Sequence, residues 1–161
     1  MKEASRVWTV VVNLLYAVPM ETIFRAFTEP RHVVSRLSPS DDIATEVIEW
    51  DLRPGGAYRL GFRFPDGQRN SVIGRFQEIS RPEKLVFTWT WEAPDPHAGI
   101  DTLVTVQLAR RGEETEVTVT HERFPDEETR DRHDEGWNGA LARLAAWLDN
   151  ADSNPGARRQ Q

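Results

Sequence analysis

Three polar residues share a predicted strand face with apolar residues and could move a proton or polarise a carbonyl group. His121 follows Val119 at a spacing of two, so it shares the inward face of its strand. Tyr58 begins a second strand in which apolar and polar residues alternate. Glu78 lies two residues after Phe76 and so shares its face of a third strand if the alternation is regular. An imidazole, a phenol and a carboxylate are groups that general acid–base catalysis uses when they meet in one cavity. His121, Glu78 and Tyr58 are therefore the candidate catalytic residues.

Each candidate also has a structural interpretation. A histidine among inward strand residues is commonly a hydrogen-bonded core residue rather than a catalyst. Glu78 faces inward only if the alternation of its strand is unbroken, because a bulge near Ile79 would turn the carboxylate outward. The sequence leaves both alternatives open. A cyclase-like enzyme would need at least two of the three polar groups to converge on one void.

The inward positions of the same strands form a second candidate site, made of bulky apolar side chains. A strongly curved sheet is not completely filled by one helix, and large apolar clefts with few polar groups are the usual ligand sites. The alternative is a solid core. The first interpretation predicts that a small apolar or aromatic molecule binds to Tyr58, Leu60, Phe62, Phe64, Phe76, Phe87, Trp89, Trp91, Val106, Val119, His121, Trp137, Leu141 and Leu144.

The elements that position these residues follow from periodicity. Spacings of two predict strands, and apolar spacings of three and four predict a helix that Asp126 caps and that runs to Asp149. Two short helices are expected after the first strand, one beginning at Pro19 and the next after Pro30. Gly136, inside the long helix, predicts close packing or a kink. The predicted strands cover residues 7–17, 45–51, 58–64, 70–79, 85–91, 104–108 and 117–121.

The pattern predicts an α+β fold in which a curved antiparallel sheet of about seven strands wraps around the long C-terminal helix. Short hairpins join most of the strands, which favours antiparallel pairing with one face of the sheet in water. We expect one domain over residues 1–150 and a disordered tail over residues 151–161, because the tail is polar and has no periodicity.

Composition excludes several classes of function. The chain of 161 residues has no cysteine, which excludes disulfides and thiolate chemistry, and its formal charge of −6 argues against a nucleic-acid binder. The most apolar stretch, residues 7–18, is too short to span a bilayer, and no signal peptide is visible, so we expect a cytoplasmic protein without membrane insertion.

The four histidines lack metal-ligand spacing, and His133 is expected on a solvated helix face. We expect no metal and no cofactor.

Several motifs occur in an order that resembles a known family. They are IFRAFTEPRH (residues 23–32), DLRPGG (51–56), GRFQEISRPEKLVFTW (74–89) and THERFPDEETRDRHDEGW (120–137). The chain resembles the bacterial relatives of the activator of the ninety-kilodalton heat-shock-protein ATPase, over about residues 7–149. The resemblance implies the START-like, birch-pollen-allergen-like helix-grip superfamily (SRPBCC), which also includes polyketide cyclases and lipid-transfer domains. It implies a hydrophobic cavity, and the family name adds contact with a chaperone as a further expectation. Pairing of exposed edge strands would give a homodimer.

Overall fold

The fold is described by a computed structural model for residues 8–153. In this part of the chain, seven strands and three helices follow one another. They are β1 (Trp8–Tyr16), α1 (Met20–Thr28), α2 (Pro30–Arg36), β2 (Ala44–Trp50), β3 (Ala57–Arg63), β4 (Arg69–Ser80), β5 (Lys84–Trp91), β6 (Thr102–Arg111), β7 (Glu114–Phe124) and α3 (Glu127–Ser153). The predicted elements are confirmed, with ends that differ by a few residues.

The strands form one antiparallel sheet in the order β1-β7-β6-β5-β4-β3-β2. Strands β2 to β7 are neighbours in both sequence and space, because short connections favour antiparallel pairing. Strand β1 instead pairs with β7, so α1 and α2 connect opposite edges of the sheet. The architecture confirms the predicted α+β helix-grip fold.

The two short helices follow from proline positions. Pro19 precedes α1, which buries Ile23, Phe24 and Phe27. Pro30 takes the first position of α2, where a missing N–H costs no hydrogen bond, and it forces Glu29 out of the helical region. The chain therefore turns between the helices, and α2 comes to lie against β2 and α3.

Helix α3 begins where the sequence predicts. The Asp126 carboxylate accepts hydrogen bonds from the Thr129 backbone N–H at 2.8 Å and from its hydroxyl at 2.6 Å, as an N-cap does. Farther along, the Tyr16 hydroxyl donates to the Leu141 carbonyl at 2.8 Å and ties α3 to β1. The helix continues to Ser153 and so includes the first three residues of the predicted tail. The rest of the predicted tail, 154–161, lies outside the described residues.

Within residues 8–153, no helix combines the length and the apolar character that crossing a bilayer requires.

Candidate functional site

A cavity of about 430 Å³, partly open to solvent, lies under the N-terminal half of α3 and against strands β3, β4 and β5. This volume is within the range of small-molecule sites. Nine of the predicted ligand-binding residues line it: Tyr58, Leu60, Phe62, Phe64, Phe76, Phe87, Trp89, Trp91 and Trp137. The alternation of the strands therefore identifies one wall of the cavity correctly.

The remaining five predicted residues do not line the cavity. Val106, Val119, His121, Leu141 and Leu144 are all at most 1% exposed and belong to the core. Helix α3 also packs against β1 and β7, on the side of the sheet away from the strands that line the cavity.

The other wall comes from residues that the sequence did not assign to the site. They belong to α1, α2, the segment between α2 and β2, β2 itself, and the first half of α3: Phe27, Val33, Leu37, Pro39, Ser40, Ile43, Thr45, Trp50, Arg132, His133, Glu135, Gly136 and Ala140. Periodicity shows which face of an element is buried, but it does not show where α1 and α2 lie over the sheet. The helical spacing gave a local signal for some of these residues, because Ala140 and His133 lie three and four residues from Trp137.

Aromatic rings in mutual contact form the sheet side of the cavity. The ring of Trp89 lies 6.3 Å from that of Phe62, 5.9 Å from that of Trp91 and 6.1 Å from that of Trp137, measured between centroids. Trp89 and Trp91 are nearly perpendicular, at 85°. Edge-to-face contacts of this kind stabilise a rigid aromatic wall. The predicted meeting of these rings beneath α3 is confirmed, and an open volume adjoins them.

Tyr58 spans two strands with its ring. Its hydroxyl donates to the Thr88 carbonyl at 2.5 Å, and burial raises the pKa of the phenol well above its usual range. Gly74 makes this possible, because a Cβ there would lie 2.5 Å from the Tyr58 ring and 2.0 Å from the Thr88 oxygen. The hydroxyl is therefore a neutral donor that already has an acceptor.

His121 is held as a neutral core residue. Its Nδ1 accepts from the Trp137 indole N–H at 3.0 Å. Its Nε2 lies 2.7 Å from the Thr102 hydroxyl, which itself donates to the Trp89 carbonyl, so Nε2 must carry the proton. Burial, and then the nearby His133, hold the pKa of His121 well below its usual range. Both nitrogens have partners, which favours the structural interpretation of this histidine.

His133 lies in the core, and the expectation of a solvated position is wrong. It is 6% exposed. Its Nδ1 donates to the Thr129 carbonyl at 2.7 Å, and its Nε2 accepts from the Trp91 indole N–H at 2.9 Å, an arrangement that only the neutral ring can make. Burial is the main cause that lowers its pKa to about 4.

Three histidines that look scattered in sequence come together in space. The ring of His133 lies 5.0 Å from that of His121 and 6.5 Å from that of His97. Both nitrogens of His121 and of His133 have hydrogen-bond partners, and the Nδ1 of His97 lies 2.6 Å from an Arg132 nitrogen. Within residues 8–153, no group of three or more histidine, aspartate or glutamate side chains is placed to hold a metal ion.

Glu78 lies on the outer face of the sheet. The pairing of β4 with β5 shifts between Phe76 and Glu78, so a bulge breaks the alternation just before the carboxylate. Glu78 is exposed and lies 3.5 Å from the ammonium group of Lys84. The inward alternative is wrong, and the three candidate catalytic residues do not converge on the cavity.

A buried carboxylate fixes the only arginine among the described lining residues. Asp95, which is 4% exposed, accepts from the Arg132 guanidinium at 2.7 and 2.8 Å, from Asn70 at 2.7 Å and from the His97 backbone N–H at 2.8 Å. Burial raises the pKa of Asp95, but these donors outweigh it and hold the pKa below its usual value. The guanidinium carbon lies 4.4 Å from the centroid of the Trp91 ring. The pair anchors the loop after β5 to α3.

Two glycines of α3 have opposite surroundings. A Cβ at Gly136 would meet no atom within 4 Å, so the predicted close packing there is wrong. A Cβ at Gly139 would lie 2.0 Å from the Pro39 carbonyl oxygen. Gly139, rather than Gly136, lets the segment after α2 approach the helix, while Gly136 leaves space at the cavity.

This contrast gives a matched pair of variants. Gly136→Ala should raise the free energy of unfolding by about 1 kcal/mol, because alanine favours the helix and its methyl group enters open space. Gly139→Ala gains the same propensity but should be destabilised by about 1–3 kcal/mol overall, because its methyl group displaces Pro39. Urea denaturation of both variants measures the difference. Equal effects of the two substitutions would contradict the described packing.

The whole domain has known relatives. The family described as Activator of Hsp90 ATPase homolog 1-like protein matches residues 17–149. Among solved structures, protein CV1439 from Chromobacterium violaceum is 27% identical with a TM-score of 0.80, covering 88% of this chain and 96% of that one. Mll3558 from Rhizobium loti is also 27% identical, with a TM-score of 0.71 and the same coverage. A comparison with curated proteins found no match.

A third structure shows the fold alone, because its identity is lower. The AHSA1 protein from Silicibacter pomeroyi is 24% identical with a TM-score of 0.77, covering 88% of this chain and 98% of that one. The family match extends from the end of β1 to the C-terminal half of α3 and therefore includes every described residue that lines the cavity. The chain belongs to the Activator of Hsp90 ATPase homolog 1-like family, within the START-like helix-grip superfamily.

Proposed function

We propose that the protein binds a small apolar or aromatic molecule in the cavity beneath α3. The observation that carries this proposal is the cavity itself, about 430 Å³ in volume and lined mainly by aromatic and aliphatic side chains. Such a hollow leaves its lining without van der Waals partners, which a guest of matching shape would supply. The volume suits a molecule of two or three fused rings.

The proposal is tested with a panel of neutral ring compounds that includes fluorene. A ligand at 100 times its dissociation constant adds about 2.7 kcal/mol to the free energy of unfolding. For a domain of this size, we expect an increase of roughly 5–10 °C in Tm. If the Tm does not change with any member of the panel, the proposal fails.

A variant that fills the cavity shows whether the ligand binds there. Gly136→Phe places a ring where a Cβ meets no atom within 4 Å, and it should weaken fluorene binding at least tenfold without unfolding the domain. Asn138→Phe adds the same ring to an exposed position of the same helix and should leave binding unchanged. Equal binding to both variants would place the ligand elsewhere.

Contact with a chaperone is a second candidate, and the description of the family is the observation that favours it. This role requires an interface of about 800 Å² on each partner. The ATPase rate of the host's ninety-kilodalton heat-shock protein, measured with and without this chain, tests the candidate. An unchanged rate removes it and leaves the ligand-binding proposal intact.

A further inference from the structure

The charges at the cavity do not balance. Among the described lining residues, Arg132 and Glu135 carry a charge, while the hydrogen bonds of His133 require a neutral ring. The Arg132 guanidinium is already compensated, because it donates to the buried Asp95 carboxylate at 2.7 and 2.8 Å. Glu135 is exposed and forms no ion pair among the described residues of α3 or its neighbours. The lining therefore has one negative charge without a counter-ion.

A second carboxylate borders the cavity from the segment between α2 and β2. Ser40 lines the cavity, and its hydroxyl donates to the exposed Asp42. Asp42 has no ion pair in the part of the chain that the structure describes, whereas its neighbour Asp41 pairs with Arg143. The same segment approaches α3 through the Pro39 carbonyl. Carboxylates from two elements thus lie where these elements border the cavity.

The aromatic lining also favours a positive charge. A cation within about 6 Å of a ring centroid is attracted to the negative face of the ring. The protein already makes one such contact at the cavity, because the guanidinium carbon of Arg132 lies 4.4 Å from the centroid of the Trp91 ring. Phe64, Trp89 and Trp137 line the cavity and are only partly buried, so their rings present surface to a ligand.

We infer that the natural ligand is a cationic amphiphile, whose apolar ring system lies in the cavity and whose protonated amino group lies at the opening beside Glu135. This inference rests on the proposed ligand-binding function and adds the charge class of the ligand. Glu135 both lines the cavity and is exposed, so it lies where the cavity meets solvent. An amine there keeps its contact with water and avoids the desolvation cost of a buried cation. Glu135 is thereby a specificity-determining residue.

Three derivatives of fluorene test the inference, because they share a ring system and differ in charge at pH 7.5. 9-(Aminomethyl)fluorene is a cation, 9-fluorenylmethanol is neutral and fluorene-9-carboxylate is an anion. Equilibrium dialysis against the full chain should show the amine bound about fivefold more tightly than the alcohol, as expected for one exposed ion pair, and the carboxylate bound more weakly than the alcohol. Raising the NaCl concentration from about 0.05 M to about 0.5 M should reduce the preference for the amine to about twofold or less, because salt screens exposed charges.

Two glutamate variants show whether Glu135 is the source of the preference. Glu135→Gln removes the charge and keeps the size of the side chain, so the ratio of amine to alcohol affinity should fall to about twofold or less. Glu113→Gln makes the same change in net charge in the exposed hairpin between β6 and β7, at a residue that does not line the cavity, and should keep the full ratio.

The inference is overturned if the unaltered protein binds the alcohol as tightly as the amine, if Glu135→Gln keeps the full ratio, or if the carboxylate binds most tightly. Ligand binding itself then stands. If fluorene, the alcohol and the amine all fail to bind, the proposed function and the inference fail together.

Discussion

Lowering the pH from 7.5 to 5.0 should reduce the free energy of unfolding by at least about 2 kcal/mol. The reason is His133, whose ring accepts from Trp91 and donates to Thr129 only when it is neutral. Its pKa falls from 6.5 to about 4 in the folded protein, and each pKa unit corresponds to about 1.4 kcal/mol. Keeping His133 neutral therefore contributes up to about 3 kcal/mol to the free energy of unfolding. About 2 kcal/mol of this is lost when the pH falls to 5.

The sign of this change in stability follows from proton binding. Between pH 6.5 and 4, the unfolded chain binds a proton at His133 that the folded protein excludes, so stability falls as the pH falls. Arg132 and His97 oppose the charged form of this ring, and Asp95 favours it, but burial has the largest effect. The pKa of His121 is lowered for the same reason, which adds to the loss.

Urea denaturation followed by tryptophan fluorescence at pH 7.5 and 5.0 measures this effect. His133→Gln should be less stable at pH 7.5 but should lose less stability on acidification, because glutamine does not titrate in this range. His121→Gln should reduce the pH dependence in the same way. If His133→Gln retains the full pH dependence of the unaltered protein, the buried neutral ring is not its source.

Asp95→Ala should destabilise the protein by about 3 kcal/mol. The substitution removes the acceptor of Arg132, Asn70 and the His97 backbone N–H at once, and it leaves a partly buried guanidinium without its counter-ion. Arg132 lies near the N-terminal end of α3 and lines the cavity, so this end of the helix should also become more mobile when Arg132 loses its partner. Urea denaturation measures the first effect, and hydrogen exchange of the first turns of α3 measures the second.

An exposed ion pair provides the control. Glu21 and Arg81 lie 2.6 Å apart and are each about half exposed, so Glu21→Ala should change the free energy of unfolding by less than about 1 kcal/mol. If Asp95→Ala is equally mild, the buried carboxylate does not anchor the helix as described.

Much of the fold could be predicted because its local patterns agree with one another. The spacing of two in β3 and β5 predicts which aromatic residues face α3, and Asp126 marks the start of that helix. The position of Glu78 could not be predicted, because one bulge reverses the face of a strand and leaves little trace in composition.

The cavity itself could be predicted only in part. Gly136 and Gly139 look alike in sequence, and the Pro39 carbonyl that distinguishes them is about a hundred residues away along the chain. The same holds for Trp50 and Phe27, which line the cavity from elements placed by tertiary packing. Sequence periodicity indicates which residues are buried, but not which of the buried residues border an empty volume.

The most direct test of ligand binding beneath α3 is a ¹⁵N–¹H titration that follows the indole N–H signals of the six tryptophans. With fluorene, the signals of Trp50, Trp89, Trp91 and Trp137, which line the cavity, should shift and saturate together. Those of Trp8 and Trp147, which do not line it, should stay in place. Shifts confined to Trp8 and Trp147, or no saturable shift of any signal, would contradict the account.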